Sequence, residues 1–492
     1  MNPSRTLTVA VGLTLLLEVQ GSAGIRLGDV EATALATVPS PTEFENLAAS
    51  ELAGYFERIG GQKLKRVEIA GSEVPPGTIA VGRLATRAGL IRQEELVPLA
   101  RDGFVIRVAG GRGAICGYRD VGTVYGVYRF LEHLGVRFFA PGCEKIPQKP
   151  NLMLADAEWS NKPFFEYRIY HRHGSATYRM PNLKLGHTLD EEMGDPSAIG
   201  EPGGWDHSSA FLVPYKTYNK SHPEYFALMK DGTRLHPIEG KPFNVHLCLS
   251  NPDVRRIATE RTLMLMEKQP ERMSFTVSQG DGNEWCECDK CKAMDAKPGV
   301  DMTDRFVDFA NEIARATAKK HPDKRILIIA YNDATSRPPT KIMPEPNITI
   351  AYCTYPPRSK CQQHDLTCEL NRPALEDIEG WLKCCPGRIC IFDYPCAYHL
   401  SWQPYTSFYT MKSKMDYYVK LDIRWIGYCM ATASFLDLFN YVQGKQYWNP
   451  NIDIEPVIDE FMAEYYGPAA KPMREYLAYY HQEVKRRDIR VN

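Results

Sequence analysis

The chain has 492 residues, which is too long for one ordinary hydrophobic core and favours two domains. Its 59 lysines and arginines nearly balance 60 aspartates and glutamates, and no basic run stands out, so the composition argues against nucleic acid as a partner. The 27 tyrosines and 7 tryptophans are amphipathic rings that either fill cores or stack on sugar faces.

The first residues follow the order of a signal peptide. One arginine lies near the start, an apolar run extends from Leu7 to Leu17, and small residues follow at Ser22 and Ala23. We therefore expect residues 1–23 to be removed and the mature protein to be secreted or periplasmic. The apolar run is too short to anchor the chain, and no other stretch approaches transmembrane length, so we expect no membrane span in the mature chain. The alternative is that this run is a buried N-terminal element.

Residues 24–155 alternate short strands and helices, and they predict a small α/β sandwich domain. The segment TEFENLAASELAGYFERIGG opens with a capping box of Thr42 and Glu45 and stops at two glycines, which predicts an amphipathic helix. Apolar runs bounded by glycine predict strands at KRVEIAG, GTIAVGR, GFVIRVAG and GAICGY. A second helix is predicted in GTVYGVYRFLEHLGVRFFAPG, ending at Gly135.

Residues 160–492 predict a (β/α)8-type barrel with C-terminal helices. Seven apolar strands are predicted at FFEYRIYHR, NVHLCLS, MSFTVSQ, ILIIAYN, ITIAYCT, RICIFDY and IRWIGYC, mostly separated by segments of helical length. Strands spaced in this way favour a parallel sheet, and closure into a barrel is the expected arrangement. A doubly wound open sheet is the alternative, because periodicity does not reveal closure.

Polar residues follow the strands, at the end of a parallel barrel where active sites are built. They are His171, His173, Ser250, Asn251, Gln279, Asp281, Glu284, Asn332, Asp333, Tyr355, Asp393, Tyr394, Tyr428 and Cys429. Several carboxylates at one mouth suit glycosidic bond cleavage, in which one acid protonates the leaving oxygen and a second group stabilises the developing positive charge.

Each of these residues also has a plainer use. Asp281 precedes a glycine and could be a turn former, and Glu284 could be a solvated loop acid. Asp393 could make a structural hydrogen bond. His207 and His173 are candidates for binding sugar hydroxyls, although single histidines are more often packed or hydrogen-bonded. Aromatic residues near the rim are candidate sugar platforms, although most aromatics are core residues. They are Trp285, Tyr394, Tyr398 and Trp402.

Cys286, Cys288 and Cys291 form a compact motif within SQGDGNEWCECDKC. Three thiolates this close can supply three corners of a tetrahedral zinc site, so a structural zinc ion is one use of the motif. The fourth ligand would then be Cys353, Cys361, Cys368 or a histidine. In an exported protein the rival is a disulfide to the segment CTYPPRSKCQQHDLTC, or plain buried thiols. Either way, the cysteines are expected to pin the loop that carries Asp281, and the sequence calls for no catalytic cofactor.

Four segments resemble the domain-of-unknown-function 4838 family: SQGDGNEWCECDKC, ILIIAYNDATSRPPTKIMPEPNITI, GWLKCCPGRICIFDY and YWNPNIDIEPVIDEFMAEYYGPAAKPMREYL. The segment GTVYGVYRFLEHLGVRFFAPG resembles the small α/β domain that precedes barrels in hexosaminidases and α-glucuronidases. The resemblance implies a retaining endo-β-N-acetylglucosaminidase of glycan breakdown, in which the substrate's own acetamido oxygen is the nucleophile. It matches Asp281 to the family acid before the cysteines and Asp393-Tyr394 to a strand-end motif.

One departure weakens the implied activity. Many relatives have a strand that ends in glycine, phenylalanine and glutamate, whereas this chain has IRWIGYCMATAS, with Tyr428 and Cys429 and no acid. The leading hypothesis keeps Asp281 to polarise or position the substrate and Glu284 as proton donor. Asp393 is the third candidate catalytic residue and, with Gln279 and Asn332, is expected to bind sugar hydroxyls. The alternatives are a catalytically silent carbohydrate-binding protein on the same scaffold and a zinc-dependent hydrolase built around the cysteines.

Overall fold

The computed structural model describes residues 24–26, 33–61, 63–171, 179–188, 207–237, 244–270, 272–356, 358–359, 364–395, 408–429 and 434–489. The chain divides into two compact units. The first contains the described residues up to Arg137 together with Ile146–Lys162. The second contains Phe138–Lys145 and the described residues from Pro163 onward, so a short segment from within the predicted first domain belongs to the second unit.

The strands, in chain order, are β1 (Ile25–Arg26), β2 (Ala34–Thr37), β3 (Lys65–Glu68), β4 (Thr78–Val81), β5 (Phe104–Ala109), β6 (Arg112–Gly117), β7 (Arg137–Ala140), β8 (Cys143–Lys145), β9 (Met153–Leu154), β10 (Ala157–Asn161), β11 (Tyr167–His171), β12 (Ser274–Thr276), β13 (Arg325–Ala330), β14 (Ile348–Cys353), β15 (Ile389–Asp393) and β16 (Trp425–Cys429). The α-helices are α1 (Glu43–Gly60), α2 (Arg83–Arg87), α3 (Gln93–Leu96), α4 (Asp120–His133), α5 (Arg179–Leu185), α6 (Ser209–Leu212), α7 (Tyr215–Tyr218), α8 (Pro252–Lys268), α9 (Asp289–Met294), α10 (Thr303–Lys320), α11 (Asn332–Thr335), α12 (Arg372–Cys384), α13 (Phe408–Lys420), α14 (Leu436–Trp448), α15 (Ile454–Tyr466) and α16 (Ala470–Arg486).

The first unit is built on a six-stranded mixed sheet in the order β10-β5-β6-β4-β2-β3. Strands β2, β3, β4 and β6 run parallel, whereas β5 and β10 pair antiparallel. Alternate residues of β5 and β6 face opposite helices. Phe104 and Ile115 lie against Gly126 of α4, while Val105 and Cys116 belong to a core cluster that includes residues of α2 and α3.

The predicted capping box at the start of α1 is confirmed. The Thr42 hydroxyl accepts a hydrogen bond from the Glu45 backbone N–H at 3.2 Å, and the Glu45 carboxylate accepts one from the Thr42 N–H at 2.9 Å. Helix α1 ends at Gly61, whose φ of 76° is the left-handed conformation that glycine adopts without strain. The four glycine-bounded strands and the second helix of this unit are also found where the sequence predicts them.

The second unit is built on a six-stranded sheet in the order β11-β16-β15-β14-β13-β12, and every neighbouring pair is parallel. Both faces are apolar, which explains why its strands read as nearly continuous hydrophobic runs. On β13, Ile326 and Ile328 join the main core of the unit, which includes residues of the surrounding helices. Leu327 and Ile329 join a separate cluster on the other face.

The parallel sheet is curled into a half-barrel. The Arg325 guanidinium of β13 lies 5.7 Å from the centre of the Trp425 ring of β16, although β14 and β15 separate these strands in the sheet. In a flat sheet, three strand spacings would separate the two backbones by about 14 Å. The contact fits a curved sheet, whose inner face also carries the Leu327 cluster.

One predicted strand is wrong. The segment NVHLCLS contains only an isolated bridge between Leu247 and Phe226, not a ladder with the parallel sheet. Its backbone groups are used elsewhere, because the His246 carbonyl accepts a hydrogen bond from the Ala227 N–H at 3.0 Å and the Cys248 N–H donates to the Tyr225 carbonyl at 2.9 Å. Six of the seven predicted strands are thus found among the described residues.

The C-terminal helices predicted from IEPVIDEFMAEYYG and AAKPMREYLAYYHQEVKRR are present as α15 and α16. Within the part of the chain that the structure describes, no helix has both the length and the apolar character needed to cross a bilayer.

Candidate active site

The candidate site lies where the chain leaves the carboxyl end of β12. Ser278 and Ser208 exchange hydrogen bonds, each backbone N–H donating to the other hydroxyl at 2.9 Å. This reciprocal pair brings His207 beside the strand extension Val277–Asp281. The extension also passes very close to the segment that follows Asn244, because a Cβ on Gly280 would lie only 2.5 Å from the Val245 carbonyl oxygen. Only glycine fits at this crossing.

Asp281 is the accessible carboxylate of this site. Its side chain is 41% exposed, and its Oδ1 accepts a hydrogen bond from the Tyr331 hydroxyl at 3.4 Å and lies 3.6 Å from His207 Nε2. The His207 and Tyr331 rings meet edge to face at 5.6 Å. The Asp281 carboxylate is therefore hydrogen-bonded to Tyr331 and lies beside the His207 ring, while the rest of it faces solvent.

The hydrogen bonds of His207 define its tautomer. Nδ1 lies 3.0 Å from the Gln279 carbonyl oxygen, which can only accept, so Nδ1 carries a proton. In the neutral ring, Nε2 is then an acceptor and cannot form a hydrogen bond with the Asp281 carboxylate, which is also an acceptor. Protonation of His207 makes Nε2 a donor and places a positive charge beside that carboxylate.

Burial and the nearby Asp281 carboxylate raise the pKa of Tyr331, which keeps its hydroxyl protonated as a donor. Tyr331 begins a row of rings at the ends of successive strands. Tyr331 and Tyr355 are 5.6 Å apart between ring centres, and Tyr355 and Tyr394 are 4.8 Å apart. The rim beside Asp281 is therefore aromatic, as a surface that stacks on sugars would be.

Glu284 lies in the same loop, in a half-buried polar pocket. Its side chain is 32% exposed, and Oε2 lies 3.9 Å from Nε2 of the buried His246. Burial lowers the pKa of His246 to about 3, so the imidazole is neutral and the contact is not an ion pair. No described residue gives a hydrogen-bond partner to Glu284 Oε2, His246 Nε2 or the nearby Asn244 Oδ1.

Gly282 makes this pocket sterically feasible. Its φ is 124°, and a Cβ there would lie 2.2 Å from Glu284 Oε2 and 2.8 Å from Asn244 Oδ1. The backbone conformation and the lack of space both exclude a side chain. The two glycines that flank Asp281 therefore serve different purposes: Gly280 permits a backbone crossing, and Gly282 leaves room for the Glu284 carboxylate.

Asp393 is buried and paired, which favours a structural role over the predicted catalytic one. Its Oδ1 accepts hydrogen bonds from the Thr354 hydroxyl and, at 3.0 Å, from the Tyr394 N–H. Its Oδ2 lies 3.6 Å from Lys414 Nζ, and both side chains are nearly inaccessible to solvent. Because protein donors already surround this carboxylate, it holds the end of β15 in place.

Two predicted substrate-binding residues have buried side chains. The Gln279 amide donates to the Thr335 hydroxyl at 3.0 Å, and Gln279 is directed into the interior. Trp285 is 5% exposed, and its ring packs against His246 at 5.3 Å and Phe306 at 6.2 Å. The prediction of Trp285 as a sugar platform does not fit this placement, because a platform needs an exposed face.

Asn332 connects two loops of the rim. Its Nδ2 is within 3.5 Å of the Gly282 carbonyl and 3.4 Å of Asn283 Oδ1, and its Oδ1 accepts from the Ala334 N–H at 2.9 Å. The residue adopts φ of 51°, a left-handed conformation that asparagine tolerates better than most side chains. His173, Tyr398, Trp402 and the side chain of Cys429 lie outside the described residues.

The three cysteines of the motif meet a fourth that the sequence interpretation missed. The Sγ atoms of Cys248, Cys286, Cys288 and Cys291 all lie within 4.8 Å of one another. None of the four is in a disulfide. Hydrogen bonds from Cys286 and Cys291 lower the pKa of Cys248, whereas contacts with Cys248 and Cys291, together with burial, raise the pKa of Cys286. Cys248 lies in the segment NVHLCLS, and the prediction of this segment as a strand concealed its cysteine as a possible ligand.

Comparison with solved structures supports a glycoside hydrolase-like fold. The chain is similar to a family GH115 4-O-methyl-α-glucuronidase with specificity for decorated arabinogalactans, at 12% identity and a TM-score of 0.53, over 92% of this chain and 62% of that one. It is also similar to a mutant β-hexosaminidase of Streptomyces plicatus in complex with its product GlcNAc, at 13% identity and a TM-score of 0.50, over 92% and 93% of the two chains. A GH20 β-N-acetylhexosaminidase from Streptomyces coelicolor A3(2) gives 12% identity and a TM-score of 0.50, over 90% and 92%.

At these identities the likeness concerns the fold alone, and the chain spans less than two thirds of the glucuronidase. The family is defined by sequence. Residues 138–479 match the model of the domain of unknown function DUF4838, and the chain belongs to that family. Residues 30–130 match the N-terminus of glycosyl hydrolase family 67. No curated protein matches the chain.

Proposed function

We propose that this protein is a glycoside hydrolase that cleaves β-linked N-acetylhexosamine-containing glycans with retention. The observation that carries the proposal is the half-exposed Asp281 carboxylate, hydrogen-bonded to Tyr331 and beside His207 at the carboxyl end of a parallel half-barrel. Active sites of barrel enzymes are built at this end. Membership of the DUF4838 family and a fold shared with hexosaminidases support a carbohydrate as the substrate.

In the proposed reaction, Asp281 binds the N–H of the substrate's 2-acetamido group and polarises it. The acetamide oxygen attacks the anomeric carbon while the glycosidic oxygen leaves with a proton from Glu284, and water later opens the cyclic intermediate. A general acid must begin protonated. Glu284 is assigned this task by position, because it lies in the same loop as Asp281 and one of its oxygens is buried beside the neutral His246. The same residue then takes a proton from the attacking water.

Sugar recognition is assigned to the aromatic part of the rim. Tyr355 and Tyr394 are only partly buried and are in ring contact with each other at 4.8 Å. Stacking on a pyranose face would use the exposed portion of these rings, and the amide of Asn332 and the imidazole of His207 are close enough to the rim to reach hydroxyls.

The test compares Asp281→Asn and Glu284→Gln with wild type on β-linked aryl N-acetylhexosaminides and on N-glycans. The matched control is Glu287→Gln, because Glu287 is in the same loop but points to Lys292 at 3.6 Å. We expect kcat/KM to fall at least about 100-fold in both site variants and to remain near wild type in the control. Full activity in both site variants would remove these carboxylates from the mechanism.

A catalytically silent carbohydrate-binding protein is the second candidate. It is favoured by β16, whose last residues Tyr428 and Cys429 provide no acid where the family resemblance implies a glutamate, and by the use of the Tyr428 hydroxyl in a hydrogen bond to Asn440. Binding on a glycan array without any product detected by mass spectrometry would favour this candidate over hydrolysis.

The proposal includes a closed (β/α)8-type barrel, domain boundaries near residues 155–160, and export of a mature chain that starts near Gly24. Packing of Gly280 against Val245 supports closure, because it places a further segment beside the chain that extends β12. N-terminal sequencing of the protein recovered outside the cytoplasm tests the export and the cleavage position together.

A further inference from the structure

We infer that Cys248, Cys286, Cys288 and Cys291 form a structural zinc site. Four cysteine thiolates are a complete tetrahedral ligand set for Zn²⁺, in which each zinc–sulfur distance is about 2.3 Å and neighbouring sulfurs are about 3.8 Å apart. Two of the sulfur pairs match this spacing, with Cys248 Sγ 3.8 Å from Cys288 Sγ and 3.9 Å from Cys291 Sγ. Sulfurs joined in a disulfide would instead be about 2.05 Å apart.

The four ligands come from two separate parts of the chain. Cys248 follows the irregular segment after Asn244, Cys286 and Cys288 lie in the loop before α9, and Cys291 is in the first turn of α9. Their convergence is not a by-product of one local turn, because about 40 residues separate Cys248 from the others. A metal ion there would join the two segments that form the polar pocket around Glu284.

The surroundings of the sulfurs are those of thiolates held for a metal. The Leu228 backbone N–H donates to Cys286 Sγ at 3.3 Å, and the Ser250 hydroxyl lies 3.3 Å from Cys291 Sγ and 3.6 Å from Cys248 Sγ and Cys288 Sγ. Such outer hydrogen bonds orient metal ligands and reduce the charge on the sulfurs.

A buried cation is anchored next to the site. Arg305 donates through Nη1 to the Cys286 carbonyl at 2.8 Å, and its other nitrogens bind Asp295 at 2.5 and 2.7 Å. The guanidinium lies 5.8 Å from the centre of the Trp285 ring. Because Arg305 is paired with Asp295, its part here is to fix the cysteine loop to α10 through the Cys286 carbonyl.

A closed set of four thiolates leaves no coordination position for water or substrate, so the ion would stabilise the loop rather than take part in hydrolysis. The zinc-dependent hydrolase considered from the sequence does not fit this ligand set. The inference does not depend on the proposed glycosidase activity, because its test reads metal content, metal ligands and stability.

The test uses the full chain, purified without metal-chelating resin from cells grown with zinc. Elemental analysis is expected to give one zinc per chain, and X-ray absorption at the zinc edge is expected to give four sulfur neighbours at about 2.3 Å. Cys248→Ser is expected to lower the zinc content at least about 10-fold. The matched control is Cys385→Ser, a buried cysteine outside the cluster, which should keep one zinc.

The wild-type measurements decide the matter if Cys248→Ser does not fold. Stoichiometric zinc with a four-sulfur shell supports the inference, as does a lower Tm after treatment with a strong chelator that added Zn²⁺ restores. Peptide mapping that finds the four cysteines in disulfides would overturn it. Protein that contains no stoichiometric zinc, and whose Tm does not respond to added Zn²⁺, would overturn it equally.

Discussion

Asp393 ends β15 and forms an ion pair with Lys414 of α13, and this pairing gives the carboxylate a structural role. Both side chains are at most 6% exposed, and the two atoms are 3.6 Å apart. A buried charge that loses its partner destabilises a protein strongly, whereas removing both members of a pair is often tolerated.

Asp393→Ala is expected to lower the free energy of unfolding by about 3 to 5 kcal/mol, because Lys414 would remain buried without its carboxylate. Lys414→Met added to Asp393→Ala should restore part of this loss. Urea unfolding of both variants provides the measurement. An Asp393→Ala protein with wild-type stability but no activity would show instead that the residue acts in catalysis.

At the scale of single residues, the sequence predicted which positions follow strands but not which side chains reach solvent. Asp281 is accessible, whereas Gln279, two residues earlier, is buried through its hydrogen bond to Thr335. These differences depend on partners that are distant in sequence. Tyr331 was missed for a related reason: it reads as the end of the apolar run that forms β13, and only its contact with Asp281 distinguishes it.

At the scale of the element, the loop from Gly280 to Cys291 has little regular structure, and its shape depends on close packing at two glycines. Gly282 is the more constrained of the two in backbone conformation, with φ of 124°. An alanine at this φ is strained, and its methyl group would displace the Glu284 carboxylate.

Gly282→Ala is therefore expected to cost about 1 to 3 kcal/mol of stability and to reduce activity through Glu284. Gly299→Ala is the control, because Gly299 has φ of 74° and no heavy atom within 4 Å of its added Cβ. That variant should lose no more than about 1 kcal/mol. Equal losses in the two variants, measured by thermal unfolding with activity assays alongside, would contradict the steric account.

The wrong prediction of a strand at NVHLCLS also has its cause at the level of the element. NVHLCLS has the apolar composition of a strand, but its hydrogen bonds go to residues 225–227 and its cysteine joins the cysteine cluster. Local composition could not reveal these non-local partners. The six confirmed strands have both faces buried, and for such strands the apolar run alone is a sufficient signal.

At the scale of the whole molecule, acid should destabilise the fold through its buried histidines. Burial lowers the pKa of His187 and of His246 to about 3, whereas an unfolded histidine titrates near 6.5. Between these values the unfolded chain binds more protons, so stability is fully present above about pH 6.5 and falls as the pH is lowered toward 3.

When the pH is lowered from about 7.5 to about 5.5, each of these histidines should reduce the free energy of unfolding by about 1 kcal/mol. In His187→Phe the difference in unfolding free energy between the two pH values is expected to shrink by that amount. If His187→Phe and wild type lose the same stability, His187 does not contribute to acid sensitivity.

The curled parallel sheet and the mixed sheet of the first unit follow from strand spacing, glycine boundaries and capping, which are local signals. The DUF4838 membership is shown by sequence, as the resemblance implied. The arrangement of the site needed the structure, because the contacts of Asp281 with His207 and Tyr331 span 74 and 50 residues of sequence. No local pattern encodes such pairings.

The most direct test of the proposed active site is a crystal structure of Asp281→Asn soaked with an N-acetylglucosamine-containing N-glycan. The account predicts an intact glycan whose 2-acetamido group lies against residue 281, with the scissile oxygen near Glu284 and a pyranose face on the tyrosine row. Glycan bound at another surface would contradict the assignment of this rim as the active site. Glycan that binds the variant with wild-type affinity but contacts neither residue 281 nor Glu284 would contradict it equally.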